Sequence, residues 1–209
     1  MTRLTRVTND SLLTAVDELT DMDDDLAVVI DKFGPPPLWA RKPGYATLVH
    51  IILEQQVSLA SAKAIFDRLK TATNGITPEA VTKLKVDGLR DLGFTGQKAQ
   101  YCHGLAELIV SKQLDLKKLA RCDEHTARGN LLDVRGIGPW TADIYLLMVL
   151  RHADIWPDGD FALAESARKI KRLRKRPDVK KLRKIADAWS PWRSVAARIL
   201  WHAYLSERR

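Results

Sequence analysis

The sequence predicts an all-α protein, a compact array of short helices, on three observations. Apolar residues recur at helical spacing almost everywhere, no segment alternates with the period of two that marks a half-buried strand, and glycine, proline or N-capping residues interrupt the pattern at short intervals. Helices this short and this closely spaced fit a globular array better than a coiled coil.

The elements follow in order. A first helix is expected over residues 8–33, ended by the stiff breaker run Gly34-Pro35-Pro36-Pro37. After Pro43, Tyr45, Leu48, Ile51 and Ile52 share one face. A second helix starts after Ser58, a plausible N-cap, with Leu59, Ala62, Phe66 and Leu69 on its stripe. Shorter helices fit 78–84, 86–92, 96–110, 115–120 and 123–132, with short turns that carry Gly75, Gly93 and Gly129. The last helices are expected over 162–175, 179–189 and 192–206. No tandem repeat or low-complexity tract interrupts this order.

Composition narrows the function classes. Hydrophobic residues make up 45% of the 209, enough for an ordinary core, and no apolar run approaches the length that spans a bilayer. The N-terminal region, with Asp10, Asp17 and Glu18, lacks the apolar core of a signal peptide, so an intracellular protein is expected, in the cytoplasm or nucleoid of a prokaryote or the nucleus of a eukaryote. Two cysteines, Cys102 and Cys122, are too few for a disulfide framework, a four-cysteine zinc site or an iron–sulfur cluster, and both read as packing residues. The five histidines show no metal-ligand spacing. The net charge of +8 is unevenly placed: residues 1–35 hold eight acids and three bases, and the remainder carries +13. That balance suits a polyanion such as nucleic acid, and it equally describes a basic soluble protein with no such partner.

The most informative segment runs from Leu132 to Ala142, Leu-Asp-Val-Arg-Gly-Ile-Gly-Pro-Trp-Thr-Ala. A helix leads into a Gly-x-Gly hairpin and a second helix follows at once, so unpaired amides at a helix N-terminus are aimed outward, where a phosphate is favoured. Read alone, the same turn is also an ordinary helix C-cap. Downstream, Trp156-Pro157-Asp158-Gly159-Asp160-Phe161 precedes another helix. Asp160 there is either a helix cap or a carboxylate available for chemistry, and Asp158 reads as a turn residue.

Together these segments resemble the helix-hairpin-helix DNA glycosylases. The hairpin matches the family's Gly-Val/Ile-Gly-x-x-Thr-Ala pattern and departs from it at Arg135, where a proline is usual. Four segments bring the chain nearest to the 3-methyladenine DNA glycosylase II branch: Ile52–Ser58, Gly93–Ala99, the hairpin with its aspartate, and Trp189–Ser194. Larger members carry an N-terminal β-domain for which 209 residues leave no room. The resemblance implies one glycosylase domain over 1–209, two-lobed, with an active-site cleft between the lobes. Within it, 1–43 form an N-terminal helix and Pro-rich turn, 44–150 a helical lobe ending in the helix-hairpin-helix, and 151–209 the aspartate loop and C-terminal helices.

The resemblance also implies roles. Asp160 is the catalytic carboxylate, stabilising an oxocarbenium-like sugar and orienting water. Arg135, Gly136, Ile137, Gly138 and Thr141 contact DNA, and main-chain carbonyls of Leu132, Val134 and Ile137 hold a structural Na+ or K+; no other cofactor is required. Gln56 is the preferred wedge that fills the space of an extruded nucleotide, with Gln55 beside it as a DNA contact or a buried structural amide. Trp140 and Trp201 match pocket positions, with Phe161 and Tyr45 as neighbours, and a cationic methylated purine would stack on such rings. The competing reading puts the tryptophans in the core, which is accepted for Trp189 and Trp192. Bifunctional relatives carry a lysine where Trp140 stands, so hydrolysis without strand cleavage is implied.

The expected activity is therefore excision of alkylated purines such as 3-methyladenine and 7-methylguanine from duplex DNA by a monomer. Two alternatives remain at this point: a non-catalytic DNA-structure-binding module, and a glycosylase for deaminated or mismatched bases. The run from Arg168 to Lys184, with eleven bases and one acid, is either a solvated face or a DNA-phosphate contact.

Overall fold

Helix capping largely decides where the chain turns, and the computed structural model, described over residues 6–208, is helical over most of the segments with helical apolar spacing. Twelve α-helices occur among these residues: α1 Asn9–Met22, α2 Asp24–Phe33, α3 Tyr45–Glu54, α4 Leu59–Ala72, α5 Pro78–Asp91, α6 Gly96–Val110, α7 Leu116–Leu119, α8 Glu124–Leu132, α9 Pro139–Tyr145, α10 Phe161–Ile170, α11 Val179–Ala186 and α12 Arg193–Ser206. A π-helical turn, Leu146–Leu150, follows α9, and a 3-10 turn, Asp187–Trp189, follows α11. The described residues contain no sheet, only an isolated bridge between Arg6 and His152. None of their helices is long and apolar enough to cross a membrane.

The chain divides into two units. One is continuous, Arg41–Tyr145; the other joins the residues up to Ala40 to those from Leu146 onward. In the continuous unit α3 is the central rod, burying Tyr45, Leu48, Val49, Ile51, Ile52 and Leu53 against α4, α6 and α9. The surrounding helices start at side-chain caps: Ser58, Thr77, Thr95, Asp115 and Asp123 each accept a hydrogen bond from an amide in the first turn. The separate helices expected over 78–84 and 86–92 are the two halves of α5, broken at Lys85, whose φ is +61°, and Gly129, expected in a turn, lies inside α8, its carbonyl accepting from the Asp133 amide at 3.1 Å.

In the other unit, α12 packs on α1, α2 and α10. The single helix expected over 8–33 is two helices, because the Asp23 carboxylate accepts from the Asp25 amide and starts α2 afresh. The helix expected to reach residue 175 stops at Ile170, where Arg172 turns left-handed with φ +53°. Arg198 is fully buried in α12 with carbonyls as its partners: Nε donates to Leu38, Nη1 to Ser194 and Nη2 to Leu147 of the π turn, each at 2.8 Å. Burial lowers its pKa to about 10, which leaves it charged at neutral pH.

Candidate functional site

The hairpin is built from backbone. After α8, the amide of Val134 donates to Leu131 at 3.1 Å, and that of Ile137 donates to Val134 at 3.0 Å, which closes a tight turn around Arg135 and Gly136. Gly136 sits at φ +94°, and a Cβ there would lie 2.2 Å from Cγ of Tyr101, so both the conformation and the space require glycine. Pro139 opens α9 at a position where a missing N–H costs no helical bond, and Ala142 donates to Gly138 at 3.0 Å. Arg135 and Gly138 are exposed, Trp140 is half-buried, and Ile137 is buried beneath the turn.

Beside it lies the turn that ends α3. Gln55, read above as a DNA contact or a structural amide, is a structural tie: its Nε2 donates to the Gly136 carbonyl at 3.0 Å and to Thr141 Oγ1 at 2.8 Å. Thr141 is buried, so its hydroxyl serves this tie inside the unit rather than the surface. Gln56 is exposed and left-handed, φ +56°, a conformation rare for a non-glycine residue. Lys98 holds this turn in place, its Nζ donating to the carbonyls of Leu53 at 2.8 Å and Gln55 at 2.7 Å. Burial pulls its pKa below the usual lysine range. Sequence reasoning included Lys98 in a matching segment without a role; its contact lies 43 residues away along the chain, and no local spacing signals it. Tyr45 lies in the core of this unit with its hydroxyl donating to the Cys102 carbonyl at 2.8 Å.

In the other unit, the loop before α10 presents Asp160. Gly159, at φ +80°, lets the chain reverse after Pro157. Asp160 then caps α10: Oδ1 accepts from the Leu163 amide at 2.9 Å and from Trp201 Nε1 at 3.2 Å. The cap reading thus describes the geometry, and it is compatible with chemistry, because the same bonds fix the carboxylate in one orientation. Ser166 of α10 donates to the Leu200 carbonyl at 2.8 Å, tying the helix of Asp160 to that of Trp201. Trp201 is only 8% exposed, whereas Phe161 is 57% exposed with the Arg176 guanidinium stacked 4.5 Å above its ring.

The loop is anchored by ion pairs that short-range patterns do not announce. Asp158 is more than a turn residue: its Oδ2 accepts from Nε of Arg183 at 3.1 Å and from Nη2. Asp154 pairs with Arg193 through two bonds of 2.8 and 2.9 Å, and Ser194 Oγ accepts from the Ile155 amide at 3.0 Å. Trp189 and Trp192 are packing residues with polar ends, their indole nitrogens donating to Asp23 and Glu18. Trp189 also lies 5.6 Å from Trp156, ring centre to ring centre.

Comparison with known proteins identifies the family. Residues 49–191 match the model of the HhH-GPD superfamily base excision DNA repair proteins. DNA-3-methyladenine glycosylase 1 of Schizosaccharomyces pombe is 28% identical over 198 residues, covering 91% of this chain and 87% of that protein. A DNA-3-methyladenine glycosylase of Bacillus subtilis is 31% identical over 162 residues, covering 72% of this chain and 54% of that one. Among solved structures, the S. pombe 3-methyladenine DNA glycosylase in complex with abasic DNA superposes with a TM-score of 0.82 at 26% identity, over 90% of this chain and 95% of that one. With a family match over most of its length and the family's hairpin in place, the chain belongs to the HhH-GPD superfamily of base excision DNA repair proteins.

Proposed function

We propose that this protein is a monofunctional DNA glycosylase that hydrolyses the N-glycosidic bond of alkylated purines in duplex DNA. The observation that carries this reading is Asp160, whose carboxylate is oriented by the Leu163 amide and the Trp201 indole in a chain that aligns with DNA-3-methyladenine glycosylases over most of its length. Departure of a purine leaves positive charge on the sugar, and a carboxylate already oriented stabilises that charge without reorganising during the reaction. The same group orients water for attack. Trp140, at the position of the hairpin where a Schiff-base lysine would stand, has no amine to form an imine, so the product is an abasic site in an intact strand.

A purine methylated on a ring nitrogen is cationic and leaves with little help from a general acid, which suits a site with one assigned carboxylate. Trp140 and Phe161 are the candidate rings with exposed surface to stack on such a base; Trp201 positions Asp160, and Tyr45 is buried in the core. Gln56, exposed on its left-handed turn, is the candidate wedge. The carbonyls of Leu132, Val134 and Ile137 are hard oxygen donors suited to Na+ or K+. The Val134 oxygen already accepts from the Ile137 amide and has a second lone pair for a cation, whose role would be to stiffen the turn. The activity belongs wherever the cell keeps its DNA, and a monomer suffices for it.

The test is incubation of wild type and Asp160→Asn with methylated duplex, followed by mass spectrometry of released bases and gel analysis of the strand. Release of methylpurines by wild type alone, without strand cleavage, is expected. Duplex binding with no release by wild type would favour a non-catalytic structure-binding module.

A further inference from the structure

Eleven Lys or Arg side chains lie between residues 168 and 184. Four of them are neutralised inside the protein: Arg168 by Glu165, Lys169 by Glu207, Lys171 by Asp23 and Asp25, and Arg183 by Asp158. These four build the unit that carries Asp160. The others are different. Arg172, Arg174, Lys175, Lys180, Lys181 and Lys184 are exposed, and none makes an ion pair with a carboxylate among the described residues. Asp178, the single acid in the run, is engaged in capping α11 through the Lys181 amide at 2.8 Å.

Stability does not explain this second group. On α11 the buried face is Leu182 and Ala186, while Lys180 and Lys184 stand four residues apart on the outer surface, a like-charge spacing that disfavours the helix. Arg174, Lys175 and Arg176 follow one another without an intervening acid. Arg176 is pinned over Phe161, the residue after Asp160, so the charge begins beside the reactive carboxylate and continues onto α11. Arginine and lysine with no internal acid, at this density, match a polymer with a regularly spaced negative charge.

We infer that residues 174–184 form a phosphate-binding surface for the DNA backbone, on the unit that carries Asp160 and additional to the hairpin. This rests on the reading of the protein as one that acts on DNA. The surface carries no base-reading geometry, and its contribution is to affinity for any duplex, with a steep dependence on salt.

The experiment is fluorescence anisotropy of an undamaged duplex from low to moderate salt, with wild type, the triple variant Arg174→Gln/Lys180→Gln/Lys181→Gln, and a control of equal charge loss, Lys70→Gln/Lys83→Gln/Lys112→Gln. The three substituted side chains are exposed and Asp178 keeps its backbone cap, so circular dichroism should match wild type. The slope of log K against log salt should flatten by about 0.9 for each phosphate no longer neutralised, roughly 2 to 3 altogether, with affinity about tenfold or more weaker at low salt. The control should keep the wild-type slope. Equal slopes in the triple variant and wild type, or equal losses in the triple variant and the control, would overturn the surface. Methylpurine release is measured separately: release with an unchanged slope rejects only the surface, whereas a flattened slope without release from wild type rejects the glycosylase and keeps the surface.

Discussion

The hairpin and the Asp160 loop are held by different chemistry. The hairpin turn depends on backbone bonds, a glycine that nothing larger can replace and a neutral amide tie from Gln55, with an ion pair, Arg128 to Asp143, joining the helices on either side. The aspartate loop is held by ionic and polar side-chain bonds that reach far along the chain, Arg183 to Asp158, Arg193 to Asp154 and Trp201 to Asp160, and elsewhere in the same unit Lys171 and Trp189 bind Asp23. The turn we propose to face phosphate needs its amides at fixed positions, which main-chain geometry supplies. The carboxylate we propose to react needs one orientation, which neighbouring donors supply. The hairpin should therefore fail through shape and the loop through charge.

The largest effect expected is on chemistry. Asp160→Asn should lower single-turnover excision by about 10²- to 10³-fold or more, the scale of losing one electrostatic stabiliser, while the thermal midpoint stays near that of wild type because asparagine is an equally good N-cap. Asp160→Ala loses the cap as well and should cost about 1 kcal/mol of stability in denaturant melts. If excision survives in both variants while only Ala loses stability, Asp160 is only a cap. Next in size, Gly136→Val should weaken binding to all duplexes by about tenfold or more, since φ +94° and the Tyr101 ring both oppose a side chain. A Tyr101→Ala background removes the ring contacts but leaves its Cβ 2.6 Å from the added one, and the backbone strain with it, so recovery should be partial. Full recovery would show that strain plays no part.

This difference also explains what could be read in advance. The hairpin was legible because its requirements are local: two glycines, a proline at the first helical position and an apolar residue between the glycines that turns inward as Ile137. The cap at Ser58 was legible for the same reason. The split of the first helix at Asp23 was not: that residue lies in a run of three aspartates, any of which could cap, and the further partners of its carboxylate, Lys171 and Trp189, are 148 and 166 residues downstream. The placement of Gln55 was left open, and the structure shows its amide bonded to Gly136 and Thr141, more than 80 residues on. Asp158 looked like a turn residue because nothing near it in sequence reveals Arg183.

A smaller effect should sharpen the hairpin side. Lys98→Met removes the ammonium that joins the carbonyls of Leu53 and Gln55 while keeping most of the side-chain volume. Loss of a charged hydrogen-bond donor costs about 1.5 to 3 kcal/mol where its partners stay dry; with Lys98 partly solvated, about 1 kcal/mol is the expected loss of stability. Excision should fall several-fold more than binding does, because the Gln56 turn would no longer be held. Equal losses in both would make Lys98 a stabilising residue with no bearing on the wedge.

The smallest effect concerns charge in the other unit. Burial raises the pKa of Asp23, but the hydrogen bonds from Lys171 and Trp189, with the Lys171 charge, outweigh it and hold the carboxyl below the usual value. A depressed native pKa means the unfolded chain takes up the proton first, so the stabilisation is complete above the unfolded value of 3.8 and is lost as pH falls through the lower native one. Asp23→Asn should therefore be less stable than wild type by about 1 kcal/mol at neutral pH, the scale of a partly exposed charged bond, and the gap should close below about pH 4. Urea melts of both proteins at several pH values measure it. Asparagine caps a helix as well as aspartate does, so a gap that persists undiminished at low pH would trace the loss to hydrogen-bond geometry around Lys171 and Trp189 rather than to charge, and would remove the ionic contribution from this side of the comparison.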